Sequence, residues 1–338
     1  MTQTKNQPIL SIKNLKTYFH AEEGIVRAVD GASFDVYPGR TLGVVGESGC
    51  GKSVTARSIL RIVDRGGRIE DGQIVLHQST DNGQSQEIDL AQFKPDSREM
   101  RSVRGGEIAL VFQEPMTSFS AFHTVGNQII EAIRLHKPLS RKEAREEAIE
   151  LLHLVGIPKP ERRVDEYSFQ LSGGLRQRVM IAMALSSDPK ILIADEPTTA
   201  LDVTTQAQVL DLLRDLQEKR DLAIILITHD MGVIAEMADD VVVMYLGRVV
   251  EQGPVDDIFH APKHPYTRML LQSIPSIMAE PRTKLATISG SIPHPYNRPL
   301  GCPFHPRCPD FIPGTCDVEM PELQPQGENQ EVSCFLYS

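Results

Sequence analysis

The sequence predicts an α/β fold, and three observations carry that reading. Apolar strand-like runs recur at residues 41–45, 107–112, 191–194 and 222–227, separated by stretches of helical spacing. A glycine-rich loop, Gly46-Glu47-Ser48-Gly49-Cys50-Gly51-Lys52-Ser53, lies between the first of these strands and an amphipathic run at 54–63. The other three runs end in Gln113, in Asp195-Glu196 and in Thr228-His229-Asp230, which puts polar groups at the carboxyl edge of a sheet, where open α/β sheets bind ligands.

Composition narrows the class. A chain of 338 residues is long enough for one large domain or two ordinary ones. A net charge of -10 with no long Lys/Arg block argues against a nucleic-acid partner, although it leaves room for a local basic patch. No run of 18 apolar residues occurs, and residues 1–8 lack the apolar core of a signal peptide, so a cytosolic chain that docks on a membrane protein is expected. Five cysteines comprise Cys50 and four in the last 37 residues. In a reducing compartment such clustering points to metal more than to disulfides.

Taken in order, residues 9–12, 32–36 and 41–45 read as short strands, with Pro38-Gly39 turning between the last two. Phe19, beside Tyr18, either stacks on a nucleotide base or joins the core. In the loop, the glycines let successive N–H groups close around phosphate oxygens, and a helix starting near Lys52 aims its positive end at the same anion. Lys52 would bridge the outer phosphates and the Ser53 hydroxyl would ligate Mg²⁺. Cys50 fits where a serine would, and a helix N-terminus can lower a thiol pKa, so its alkylation is expected to block nucleotide turnover and bound nucleotide with Mg²⁺ to protect it.

Further on, 72–76 predicts a strand, 77–86 a hairpin or loop, and 107–112 a buried strand running into Gln113-Glu114-Pro115. Residues 124–156 predict helix, with a capping box at Ser140 and Glu143 and a stop at Gly156 and Pro158. Leu171-Ser172-Gly173-Gly174-Leu175-Arg176-Gln177-Arg178 opens a helix through Leu185 with Ser172 as N-cap, and its paired glycines leave N–H groups able to face an anion. At Asp195-Glu196 one carboxylate can hold the Mg²⁺ shell while the next orients or deprotonates an attacking water. His229, at the same sheet edge, can donate to a γ-phosphate.

These motifs, in this order, resemble the ATP-binding subunit of ABC transporters over about residues 9–258. Residues 46–53 look like Walker A, Gln113 like the Q-loop, Leu171–Gln177 like the signature in an LSGG-x-x-Q form, and Ile191–Glu196 like Walker B. Ala200-Leu201-Asp202 resembles the D-loop, His229 the H-loop switch and Phe19 the A-loop aromatic, with Tyr18 as the fallback. The resemblance implies a mixed-sheet core, an antiparallel β subdomain and a helical subdomain at about 114–185. It also implies ATP and Mg²⁺ bound between two head-to-tail subunits. Lys52 and Ser53 would bind phosphate and Mg²⁺, Asp195 would support the Mg²⁺, Glu196 would be the general base, Gln113 would sense Mg²⁺ and the membrane domain, and His229 would position the γ-phosphate. Ser172, Gly173, Gly174 and Gln177 would serve the partner's nucleotide. The implied partners are a second ATPase subunit, in a heterodimer with a paralogue, two permeases and a solute-binding protein, at the cytoplasmic face of the membrane.

From Pro254 onward lie 14 of the 23 prolines, which disfavours regular helices and marks a change of organisation. His264-Pro265-Tyr266-Thr267 and Gly301-Cys302-Pro303-Phe304-His305-Pro306-Arg307-Cys308 resemble the C-terminal region of oligopeptide/dipeptide transporter ATPases, so 259–338 is expected to form a Pro/Cys-rich extension. Ser118-Phe119-Ser120-Ala121 departs from the Ser-Leu-Asn-Pro usual in that subfamily, at a place that the resemblance implies would contact the membrane subunits. Cys302, Cys308, Cys316 and Cys334 are separated by 5, 7 and 17 residues, a spacing that leaves Zn²⁺, an Fe–S cluster or free thiols open. The family resemblance favours a [4Fe-4S] cluster.

Overall fold

The computed structural model describes residues 7–79, 85–114, 118–274 and 288–338. Residues 1–6, residues 80–84 of the expected hairpin or loop, and Pro115 lie outside the described residues. The chain forms two compact units, one of Met1–Tyr37, Thr41–Gln92 and Thr228–Ser338, the other of Pro38–Arg40 and Phe93–Ile227.

The first unit opens with β1 (Leu10–Ala21) and β2 (Gly24–Val36), far longer than the short strands expected at 9–12 and 32–36. Register shifts along their pairing break the strict alternation that the sequence would otherwise display. After β3 (Thr41–Val45) and α1 (Lys52–Ile59) come β4 (Gly67–Ser79), longer at both ends than the strand expected at 72–76, and β5 (Ser85–Asp89), which pairs with it antiparallel. The order β2-β1-β4-β5 is an antiparallel four-stranded sheet. Leu10, Ile12, Leu15 and Ile74 are buried along it, each contributing about 1.5–3 kcal/mol by leaving water.

The second unit carries α2 (Arg98–Val103), β6 (Ile108–Val111), α3 (Val125–His136), α4 (Arg141–Leu154), the short α5 (Pro160–Arg163), α6 (Gly173–Ala184), β7 (Ile191–Asp195), α7 (Val203–Arg220) and β8 (Ala223–Ile227). Strands β6, β7 and β8 pair in parallel, and β7 and β8 are buried throughout, which explains their unbroken apolar runs. The stretch expected to be helical at 124–156 is two helices, because Ser140 starts a new one through its capping box with Glu143. Ile129, Ile130 and Ile133 of α3 and Ala144, Ala148, Leu151 and Leu152 of α4 form their apolar faces.

The first unit resumes with α8 (Met231–Met237), β9 (Asp240–Tyr245), β10 (Arg248–Pro254), α9 (Val255–His260), α10 (Pro265–Gln272), β11 (Gln324–Pro325) and β12 (Glu331–Val332). β3 is parallel to β9, whereas β9 with β10 and β10 with β12 are antiparallel, so this sheet is mixed. Two helices form where the prolines argued against them. Pro265 occupies the first turn of α10, where its missing N–H costs no bond, and His264 caps that helix. Glu251 is fully buried and ties the segment together: its carboxylate accepts from Lys263 N at 2.6 Å, His264 N at 2.9 Å and Gln330 Nε2 at 2.7 Å. Burial pushes the Glu251 carboxyl up, against the pull of these donors.

Candidate functional site

In the first unit, the buried strand β3 delivers the chain into the glycine-rich loop. Two glycines there are structural necessities. Gly46 has φ 149°, and a Cβ would stand 2.2 Å from the Met244 carbonyl oxygen; Gly51 has φ 102°, and a Cβ would stand 2.2 Å from that of Ala28. Gly51 is also the residue that starts α1, so Lys52 and Ser53 form its first turn, with no acidic side chain there to oppose an anion. Lys52 is 5% exposed. Its ammonium folds back over the loop, donating to Gly46 O at 2.7 Å and Glu47 O at 3.2 Å.

Cys50 lies 3.7 Å from that ammonium, yet burial pushes its thiol up. The expectation of a lowered thiol pKa is therefore corrected: desolvation outweighs Lys52 and the helix terminus. Glu47 is held away from the loop's interior, since its N–H donates to the Tyr266 hydroxyl at 2.9 Å and its carboxylate pairs with Arg307. Phe19 on β1 lies over Gly67, where a Cβ would come within 2.6 Å of its ring. Tyr18 is otherwise engaged, because its hydroxyl donates to Asp30 Oδ1 at 2.5 Å and Arg27 stands 5.7 Å from its ring centroid. Burial, then Asp30, pushes the Tyr18 hydroxyl up to about 12. His229 is exposed in the turn before α8, which Asp230 caps by accepting from Gly232 N at 2.8 Å.

The second unit holds the carboxylates. Asp195 closes β7 and is 5% exposed, while Glu196 follows with φ 47°, a left-handed conformation costing about 1 kcal/mol for a residue with a side chain. That strain is held by Glu196 N–H donating to Ile227 O at 2.8 Å. Glu196 Oε2 accepts from Gln113 Nε2 at 2.8 Å and from Thr199 Oγ1 at 2.9 Å. The expected Q-loop glutamine thus meets the expected base directly. Thr199 was not foreseen, although its place three residues after Glu196 was a usable signal.

Ser172 is exposed and caps α6 through Leu175 N. Gly173 is exposed as well, and Gly174 lies against Thr205, whose Cγ2 would be 2.3 Å from a Cβ. Gln177 requires a correction. It is 2% exposed, with Nε2 lacking a partner among the described residues, so it faces inward rather than being offered with Ser172 and Gly173. Met180 and Ile181, three and four residues on, lie on the same side of α6 as Gln177 and are buried with it. Asp202 of the D-loop caps α7, accepting from Thr205 N at 3.0 Å, and Ala200 before it has φ 63°.

In the first unit's tail, Cys302, Cys308, Cys316 and Cys334 line one small cavity with His264 and Phe304. Cys302 N–H donates to Cys316 O at 2.8 Å, which joins distant parts of the segment. Burial pushes the Cys302 thiol up to about 11 and that of Cys308 up to about 12. Among the described residues no three His, Cys, Asp or Glu groups stand at metal-holding positions.

Residues 29–199 match the ABC transporter family, and residues 250–316 match the oligopeptide/dipeptide transporter C-terminal region. The chain is 49% identical to the oligopeptide transport ATP-binding protein AppD of Bacillus subtilis (strain 168) over 330 residues, 97% of each chain. It is 45% identical to the dipeptide transport ATP-binding protein DppD of Escherichia coli (strain K12), over 96% of each chain. Among solved structures it is similar to the ATP-binding cassette MJ0796 in a dimeric post-hydrolysis state bound to ADP and Pi, with TM-score 0.62 and 26% identity, covering 73% of this chain and 98% of that one. CbiO1 from Clostridium perfringens matches with TM-score 0.61 and 28% identity, covering 76% of this chain and 92% of that one. Motif order, fold and near full-length identity agree: the chain belongs to the ABC transporter ATP-binding proteins, as an ATPase carrying the oligopeptide/dipeptide transporter C-terminal region.

Proposed function

We propose that this chain hydrolyses ATP as one subunit of an importer of di- or oligopeptides, with nickel chelates or oligosaccharides as the alternative cargo. The names borne by its relatives support the peptide reading, and the catalytic reading rests on one observation: the Glu196 carboxylate fixed by Gln113 and Thr199 at the end of β7.

In this mechanism the N–H groups of the glycine loop and the Lys52 ammonium bind the phosphates, and Phe19 stacks on adenine. The Ser53 hydroxyl, Asp195 and Gln113 would hold Mg²⁺, which when bound neutralises charge on the phosphate oxygens. Glu196 accepts a proton from the attacking water, and the neutral donors Gln113 and Thr199 aim it. His229 donates to the γ-phosphate. Ser172 and Gly173 of one subunit contact the nucleotide of another, a head-to-tail arrangement supported by the dimeric form of the similar MJ0796 cassette. Glu196→Gln tests the assignment. Turnover should fall about a hundredfold or more while ATP binding persists, and unchanged turnover would refute it.

The division into an ATPase domain at 1–258, with a helical subdomain at about 114–185, and an extension at 259–338 belongs to this reading, as does pairing with a paralogous ATPase subunit. Permease subunits and a solute-binding protein complete the assembly, which places the chain at the cytoplasmic membrane face. Among the described residues no helix is long and apolar enough to cross a membrane. Exposed Leu135 and Phe122 in the second unit offer apolar contact to a permease. Cys302, Cys308, Cys316 and Cys334 would hold a [4Fe-4S] cluster, or Zn²⁺ as the alternative. Iron analysis and an ultraviolet-visible spectrum of anaerobically purified protein test this, and colourless, iron-free material would overturn the cluster.

A further inference from the structure

Glu47 lies within the phosphate loop but is held by the tail of the same unit. Arg307 grips its carboxylate with a guanidinium fork, Nη1 to Oε2 at 2.7 Å and Nη2 to Oε1 at 3.0 Å. The Tyr266 hydroxyl accepts from Glu47 N at 2.9 Å, and the Glu47 carbonyl accepts from Lys52 Nζ at 3.2 Å. Every polar group of Glu47 is thereby engaged.

The gripping side chains are themselves fixed. Arg307 keeps only 4% of its side chain exposed, donates Nε to Ser289 O at 3.1 Å, and stands 5.8 Å from the Tyr245 ring centroid. Tyr245, Tyr266 and Phe304 form a three-ring cluster with centroids 4.8–5.3 Å apart. Arg307 itself sits at the end of the 3-10 turn His305–Arg307, closed by Arg307 N donating to Phe304 O at 2.9 Å.

We propose that Arg307 and Tyr266 are positioning residues for the nucleotide: they hold the phosphate loop from behind, and Arg307 neutralises a loop carboxylate that would otherwise repel the triphosphate. A mostly buried ion pair suits this task because losing one partner leaves the other charge exposed to its neighbours without compensation. The Lys52 ammonium donates to the Glu47 carbonyl, so displacement of Glu47 reaches it through one hydrogen bond.

The test is ATPase kinetics of the full chain in its assembled transporter. Arg307→Ala should raise KM for MgATP about tenfold and leave kcat within about threefold. Arg307→Lys, which keeps the charge and loses the fork, should fall between. In Glu47→Gln/Arg307→Ala the uncompensated carboxylate is gone, and KM should return to within about threefold of wild type. An unchanged KM in Arg307→Ala, or a double variant no better than the single one, would overturn the proposal. Should Arg307→Ala not fold, Tyr266→Phe decides: it keeps the ring and removes the acceptor, so KM should rise about threefold, and an unchanged KM counts against the idea.

Discussion

Glu47 and Glu196 are both carboxylates in motifs that the sequence ties to nucleotide, and the hydrogen bonds described for Glu47 and for Glu196 Oε2 differ in kind. Glu47 is matched by a cation, the fork of Arg307, whereas Glu196 Oε2 is held by the neutral amide of Gln113 and the hydroxyl of Thr199. The difference separates two tasks. A general base must accept a proton, and pairing it with a cation opposes that, so neutral donors that fix direction suit it better. A carboxylate that only shapes a phosphate loop is a liability until its charge is cancelled, and a guanidinium does both jobs.

Variants that exchange the two kinds of support would break this comparison. The largest effect is expected for Glu196→Gln, which removes the proposed base. Next, Arg307→Ala should act on KM rather than kcat. Thr199→Val, which takes one of the two donors from Glu196 Oε2, should lower kcat about five- to tenfold with KM little changed, as befits loss of a hydrogen bond to a charged group. An effect on KM alone would mean that Thr199 does not orient the base.

A smaller effect concerns pH. His264 is buried, and burial lowers its pKa to about 3; its Nδ1 accepts from Tyr266 N at 3.0 Å, so the folded chain needs it neutral. Between pH 6.5 and about 3 the unfolded chain binds a proton there that the folded chain does not, so stability falls as pH falls through that window. His264→Asn keeps a capping acceptor without the titration and should flatten the acid side of a thermal-melt profile. An unaltered profile would remove His264 from the account.

Much of this was legible along the chain because the signals are local. The glycine loop, the Ser140 and Ser172 caps and the acids ending β7 each declare themselves within a few residues. The burial of Gln177 was not legible, because a sequence motif does not say what packs around each turn of a helix, and α6 is buried round most of its circumference. Proline content misled at Pro265, where position within the helix mattered more than number. The grip of Arg307 on Glu47 joins residues 260 positions apart, and no spacing rule reaches that far. Both halves of that contact stood in recognised motifs, yet only the packing of Tyr245, Tyr266 and Phe304 brings them together.

The most direct test of the two kinds of carboxylate support is a steady-state ATPase titration of Glu196→Gln and Arg307→Ala side by side, with nucleotide binding measured on the same samples. The account predicts a collapsed kcat with retained ATP binding in the first, and a near-normal kcat with an elevated KM in the second. Equal losses of kcat in both, or normal turnover in Glu196→Gln, would contradict it.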